Sequence, residues 1–132
     1  MNLSAITIKK YTKYSIPGLR KLAGEKFRAW IRKRDAGESC ISCGAFNPSD
    51  AGHYYSAGHY PVLEFNEDNV HKQCRHCNFF EHSNAIEYRK NIIKKIGVER
   101  VEKLDLIVAQ TKHDGYKHDR FRLIEVIETY KY

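Results

Sequence analysis

Four cysteines stand in two pairs: Cys40 and Cys43, then, after thirty residues, Cys74 and Cys77. Two thiolates three residues apart on a tight turn can share one ion, and two such turns complete a tetrahedron around zinc. Gly44, directly after Cys43, suits the sharp turn that brings backbone amides toward sulfur. Disulfides are the competing chemistry, but neighbouring C-x2-C pairs would close only tiny loops. With all four positions taken by sulfur, the ion would brace the fold rather than react. The interval between the pairs is rich in further ligands: Asp50-Ala51-Gly52-His53-Tyr54, Ala57-Gly58-His59-Tyr60, and Phe65-Asn66-Glu67-Asp68-Asn69-Val70-His71. Asn78 follows the last cysteine. Asp50 offers a carboxylate and Asn78 an amide oxygen, a donor set for a hard divalent ion such as Mg²⁺ or Mn²⁺ that keeps several waters. A histidine beside such an ion can take a proton from water near neutral pH. These are the parts needed to hydrolyse a phosphodiester.

Something must hold those groups together. Pro48, Pro61 and the glycines punctuate the interval, and aromatics alternate with polar residues, which predicts a short irregular hairpin. Asn84 or Ser83 is placed to cap the helix that follows the second pair. His82, one helical turn beyond Asn78, comes within reach of a metal or a phosphate. His71 reads as a structural hydrogen-bonding residue, and His113 and His118 bracket a polar turn with no specific role.

Helices are predicted on both sides. Ser15 caps and Pro17 opens a helix whose Leu19, Leu22, Ala23, Phe27, Trp30 and Ile31 recur at 3.6 spacing and face inward. Ala85 to Ile96 forms another, stopped by Gly97. Val98 to Ala109 and Asp119 to Tyr130 are two more, with a turn over 113–117 between them. The fold class expected is α+β, a small zinc-braced core with flanking helices. One domain fills 1–132: a basic arm and helix over 1–35, the zinc-braced core over 36–97, and C-terminal helices over 98–132. The helices carry more apolar surface than so small a core can cover, and a homodimer would bury it.

Charge points to the partner. The chain carries 23 Lys+Arg against 16 Asp+Glu, a net of +7, and residues 1–35 hold ten bases and two acids. A basic arm on a near-neutral body suits a polyanion, most commonly nucleic acid. Arg20, Lys21, Arg28, Arg32 and Lys33 on the first long helix, and Arg89, Lys90 and Lys94 on the later one, are the expected phosphate contacts. No run of about 18 apolar residues suggests a membrane span. Residues 1–14 lack a continuous apolar core, so a secretory signal is not expected.

Several segments agree in order and spacing with one known family. Cys40-Ile-Ser-Cys43-Gly44, Ala51-Gly52-His53-Tyr54, Phe65-Asn66-Glu67-Asp68-Asn69, His71-Lys72-Gln73-Cys74, Cys77-Asn78 and Glu87-Tyr88-Arg89 resemble the NinG (Rap) family of lambdoid phages. The similarity covers roughly residues 20 to 100. The resemblance implies a recombination endonuclease acting on branched DNA, a Holliday junction or D-loop. It implies work in the cytoplasm of a bacterial host, alongside phage or host recombination proteins. More broadly, the pattern is similar to HNH, or His-Me finger, nucleases with a ββα-metal core. On that resemblance His53 corresponds to the general base, and Asn69 to the asparagine that ties the hairpin loop. Asp50 and Asn78 correspond to the ligands of the catalytic metal. Two features depart from the pattern: Gly52 stands where most HNH motifs carry an acid, and the repeated Ala-Gly-His-Tyr makes His59 a rival base. A nicking or sequence-preferring HNH nuclease is the neighbouring reading, and a non-catalytic zinc-stabilised DNA-binding module is the alternative outside enzymes.

Overall fold

A computed structural model describes residues 2–79, 84–112 and 114–132. The elements in chain order are α1 (Ala5–Lys10), α2 (Ile16–Arg34), β1 (Asp50–His53), β2 (Val70–Gln73), α3 (Arg75–Phe79), α4 (Ala85–Ile96), α5 (Val98–Thr111) and α6 (Arg120–Tyr130). Two single-turn 3₁₀ helices, Pro61–Leu63 and Glu67–Asn69, lie in the connection from β1 to β2. The class is α+β, rich in helix, with one two-stranded sheet.

α2 begins as its residues dictate. The Ser15 hydroxyl accepts the Gly18 amide at 3.1 Å, and Pro17 sits in the first turn, where its missing N–H costs nothing. Leu19, Ala23, Phe27 and Ile31 form its fully buried stripe. That stripe packs on α6, which presents Leu123, Ile124, Val126 and Ile127. Phe27 sits at the centre, edge-on to Phe65 and Tyr130 at centroid distances of 5.7 and 5.0 Å. Trp30 also packs into this cluster, against Tyr130. Asp119 caps α6 by accepting the Arg122 amide at 2.8 Å.

A second apolar cluster joins Tyr88 and Ile92 of α4 to Val101 and Leu104 of α5, with Leu63 and Ile41 beneath. The two helices turn back on each other at Gly97, whose φ of +93° is cheap only for glycine. Of the two residues expected to cap α4, Asn84 stands at the cap position but its side chain makes no capping bond, and Ser83 lies outside the described residues. Among the described residues, no helix is long and apolar enough to cross a membrane.

Between the clusters lies the hairpin. β1 and β2 run antiparallel with Asp50 opposite Gln73, Gly52 opposite His71 and His53 opposite Val70. An isolated two-stranded ribbon is marginal in water, and both ends of this one are tied. At the loop end Asn69, fully buried, donates to the Tyr55 and Leu63 carbonyls at 2.9 and 3.0 Å and accepts the Tyr55 amide at 2.8 Å. At the other end the cysteine pairs flank the strands, and the Ile41 amide donates to the Lys72 carbonyl. Gly52 leaves no room for the acid that the HNH pattern favours: a Cβ there would fall 1.9 Å from Gln73 Oε1 and 2.8 Å from Gln73 Cβ. Its carbonyl accepts the buried Tyr88 hydroxyl at 2.6 Å, which joins the hairpin to α4.

A buried charged cluster fastens the hairpin to α2. The Asp35 carboxylate, 3% exposed, accepts from Arg34 at 2.8 and 2.9 Å and lies 3.0 Å from Lys95. His71, 1% exposed, donates from Nε2 to the Asp68 carbonyl and accepts Lys95 at Nδ1, both at 2.9 Å. Burial first, then the Lys95 and Arg34 cations, hold its pKa down at about 4 against an ordinary 6.5. The unfolded chain therefore binds the proton more readily than the folded one. This contribution to stability is complete above pH 6.5 and is lost as pH falls toward 4, by about 3 kcal/mol. Urea midpoints should fall more steeply from pH 7 to pH 4.5 in the native chain than in His71→Gln. Parallel curves would show that His71 is not the titrating group.

Candidate functional site

The two cysteine pairs converge. All four sulfurs lie within 4.8 Å of one another, and those of Cys43 and Cys74 are 3.7 Å apart. Zinc with Zn–S bonds of about 2.3 Å sets sulfur–sulfur edges of about 3.8 Å. The turns that aim the sulfurs are alike: the Cys43 amide donates to Cys40 Sγ and the Cys77 amide to Cys74 Sγ, both at 3.4 Å. Gly44 takes a φ of +78° to close the first turn. Within the cluster, Cys77 and Cys40 are pushed in opposite directions. Burial, then the neighbouring sulfurs of Cys74 and Cys43, push Cys77 up to about 12. Against its burial, amide hydrogen bonds from Cys43 and Cys74 bring Cys40 down to about 7. A cation at the centre removes that conflict, because a metal-bound thiol is deprotonated outright. The cluster can hold zinc, with sulfur in every position.

Beside it lies a cavity of about 530 Å³. β1 supplies Asp50 and His53 to its wall, α3 supplies Arg75, Asn78 and Phe79, and α2 supplies Arg28 and Arg32. Asp50 and Asn78, 28 residues apart, touch: the amide donates to the carboxylate at 3.1 Å. Ser49 and Arg75 donate to the other carboxylate oxygen at 2.9 and 3.3 Å. Against the pull of burial, these three donors hold Asp50 below the usual carboxylate range. Asp50 is thus a charged carboxylate surrounded by hydrogens. A hard ion fits this donor set once the Asn78 amide rotates to present its oxygen in place of its N–H.

His53 lies on the same wall. Its Nε2 is 2.9 Å from the Glu64 carbonyl, which can only accept, so Nε2 carries the hydrogen. Burial lowers the ring's pKa, so it is neutral at pH 7 with its lone pair on Nδ1. Glu64 is itself fixed: its buried carboxylate accepts Arg20 Nε at 2.8 Å and His118 Nε2 at 3.0 Å.

The expected site residues are thus sorted. His53, Asp50 and Asn78 share one cavity, with Arg28 and Arg32 beside them. His59 lies elsewhere, exposed, bonded to Ser56 at 3.0 Å and lining a separate cavity with Tyr60 and Tyr116. Asn69 ties the loop and is remote from solvent. His82 lies outside the described residues. The basic residues divide. Arg28 and Arg32 form no ion pair among the described residues, and Lys21, Lys33 and Lys94 are exposed. Arg20 is held by Glu64, Arg89 clamps Asp105 at 2.7 Å and also donates to Tyr54, and Lys90 pairs with Glu87. Three participants were not anticipated. Arg75 was legible, since it precedes Asn78 by one helical turn. Glu64 carried no local signal. His118, read as part of an idle turn, is instead a buried partner of Glu64.

A family model described as Bacteriophage Lambda NinG protein matches residues 4–132. Protein ninG of Escherichia phage lambda is 42% identical over 87 residues, covering 64% of this chain and 43% of that protein. Protein ninG of Salmonella phage P22 is 40% identical over the same length, with the same coverage. The match thus spans less than half the length of these curated relatives. No solved structure matches the chain. The family match runs through both cysteine pairs and the cavity beside them, and on it the chain belongs to the bacteriophage lambda NinG protein family.

Proposed function

We propose that this chain is a metal-dependent DNA endonuclease of the HNH, or His-Me finger, kind, cutting phosphodiester bonds in branched recombination intermediates in the host cytoplasm. The observation that carries this reading is the shared cavity: an oriented neutral imidazole, a charged carboxylate and an amide line one space with Arg28, Arg32 and Arg75. The order of elements also supports it, since an antiparallel pair of strands between the cysteine pairs runs directly into a short helix that carries Cys77.

The roles follow from the atoms. Asp50 and Asn78 would hold Mg²⁺ or Mn²⁺, which when bound supplies positive charge for the scissile phosphate and the leaving oxygen. His53 accepts the proton of the attacking water at Nδ1, while the Glu64 carbonyl keeps the ring turned toward the cavity. Arg28 and Arg32 grip the backbone without reading sequence, as suits an enzyme that selects shape. Arg75, now on Asp50, would be free to contact the phosphate if a metal ion took its place at that carboxylate.

The test is cleavage of a labelled four-way junction by the full chain, with flap, duplex and single strand in parallel. Cutting of the branched substrates with Mg²⁺ or Mn²⁺ and none in EDTA is expected. Equal cutting of every duplex, or cutting at one sequence, would favour a nicking enzyme. DNA binding without cleavage under either ion would leave a non-catalytic zinc module.

A further inference from the structure

Phe79 ends α3 with 65% of its surface exposed, in the lining of the same cavity as His53, Asp50 and Asn78. A single exposed aromatic is ordinary on a protein surface, but its surroundings here are specific. Arg75, one turn earlier on the same helix face, places its guanidinium carbon 5.4 Å from the ring centroid and its Nη2 3.3 Å from Asp50. Arg28 and Arg32 face the same space without ion-pair partners among the described residues. The ring is therefore a flat apolar face in a cationic rim, next to the carboxylate of the site.

Arginines alone would hold any polyanion. An aromatic face beside them fits a ligand that carries a phosphate and a planar base a few bonds apart, which is a nucleotide. In an intact duplex each base is already stacked on both sides and offers no face. At a branch point, gap or strand end a base can turn out and stack on protein. We propose that Phe79, braced by Arg75, receives an unpaired base next to the phosphate held in the Asp50–Asn78 cavity, so that strands are engaged where pairing is interrupted. This rests on the nucleic-acid reading of the cavity given above and gives its selectivity for shape a named side chain. Stacking accepts every base, so the selection carries no sequence.

Binding measured in EDTA separates this from hydrolysis. The probes are a single-stranded oligonucleotide carrying 2-aminopurine and the duplex of the same sequence. Phe79→Ala should weaken single-strand binding about 5- to 150-fold, the range of one lost base stack, and leave duplex binding nearly unchanged. Phe79→Trp should keep single-strand affinity, and 2-aminopurine should be quenched by the native and Trp forms but not by the Ala form. Because Phe79 is exposed, all three forms should melt alike. Equal single-strand affinity and quenching in native and Phe79→Ala proteins would overturn the proposal, even if Mg²⁺-dependent cleavage is found. Loss of both in Phe79→Ala, with no cleavage under any divalent ion, would sustain the stacking platform while removing the hydrolytic reading.

Discussion

Replacing His53 with alanine is expected to lower cleavage of a four-way junction by about 10²- to 10⁴-fold, the usual contribution of a positioned general base, with DNA affinity unchanged. Binding should persist because, on the proposed reading, the phosphate would be gripped by Arg28 and Arg32 of α2, which line the cavity, and not by the imidazole. The fold should persist because the loop that His53 meets at the Glu64 carbonyl stays tied by Asn69. The pH dependence adds a second readout. The base acts in its neutral form, and burial lowers its pKa below 6.5. Cleavage by the native chain should therefore fall off at a lower pH than it would with a base at the ordinary histidine value of 6.5. A decline already under way at pH 7 would point to an ordinary, solvated histidine, and unchanged cleavage by His53→Ala would remove His53 from the mechanism. Glu64→Gln gives a graded counterpart. It keeps the carbonyl that orients His53 but weakens the ion pair to Arg20 and the hydrogen bond from His118 that fix it, so a smaller loss of cleavage than for His53→Ala should follow.

The largest effect on structure should come from the cysteine cluster. Structural zinc in small peptides contributes about 10–16 kcal/mol of apparent binding free energy, against a total stability of about 5–15 kcal/mol for a typical domain. Stripping the metal, or changing Cys74 to Ser, should thus abolish cooperative folding of the region between the pairs. The reason is local. β1 and β2 have four residues each, too few to pair without a clamp, and Cys74 follows directly on β2 while Cys77 sits inside α3. The α2–α6 contact is built on Leu19, Phe27, Ile124 and Ile127 and takes Ala51, Phe65 and Val70 from the region between the pairs, so part of the helical circular dichroism should survive. Metal analysis should give one zinc per chain, and a strong chelator should lower the melting temperature in step with zinc release. A chain that melts unchanged after complete removal of metal would show that the sulfurs do not brace the fold.

Some of this molecule was readable from local pattern. The helix over Ala85–Ile96 and its stop at Gly97 fall where periodicity and a glycine put them, and Ser15 and Asp119 cap as their types suggest. The cysteine cluster was readable for the same reason, since C-x2-C geometry is set within four residues and needs no knowledge of the rest. Where local signal was weak, elements were missed. α1 has six residues and none buried, so no apolar stripe announced it. α3 begins inside the second cysteine pair, where ligand spacing hid a five-residue helix.

The amino-acid sequence by itself determined the two-part design: helices with one apolar face each, sulfur ligands at fixed spacing, and a basic arm. Only the tertiary structure decided what stands beside what. Antiparallel register sets Asp50 opposite Gln73, so the carboxylate meets Asn78 just past the turn, and His53 shares its cavity while His59 faces another. The same packing decided which cations are tied: Arg89 meets Asp105 16 residues away and Arg20 meets Glu64 44 residues away, whereas Arg28 and Arg32 face the cavity. Periodicity and ligand spacing act over a turn or two of chain and are written into neighbouring residues. Ion pairing and shared cavities depend on contacts between distant segments, which exist only once the apolar faces have chosen their partners.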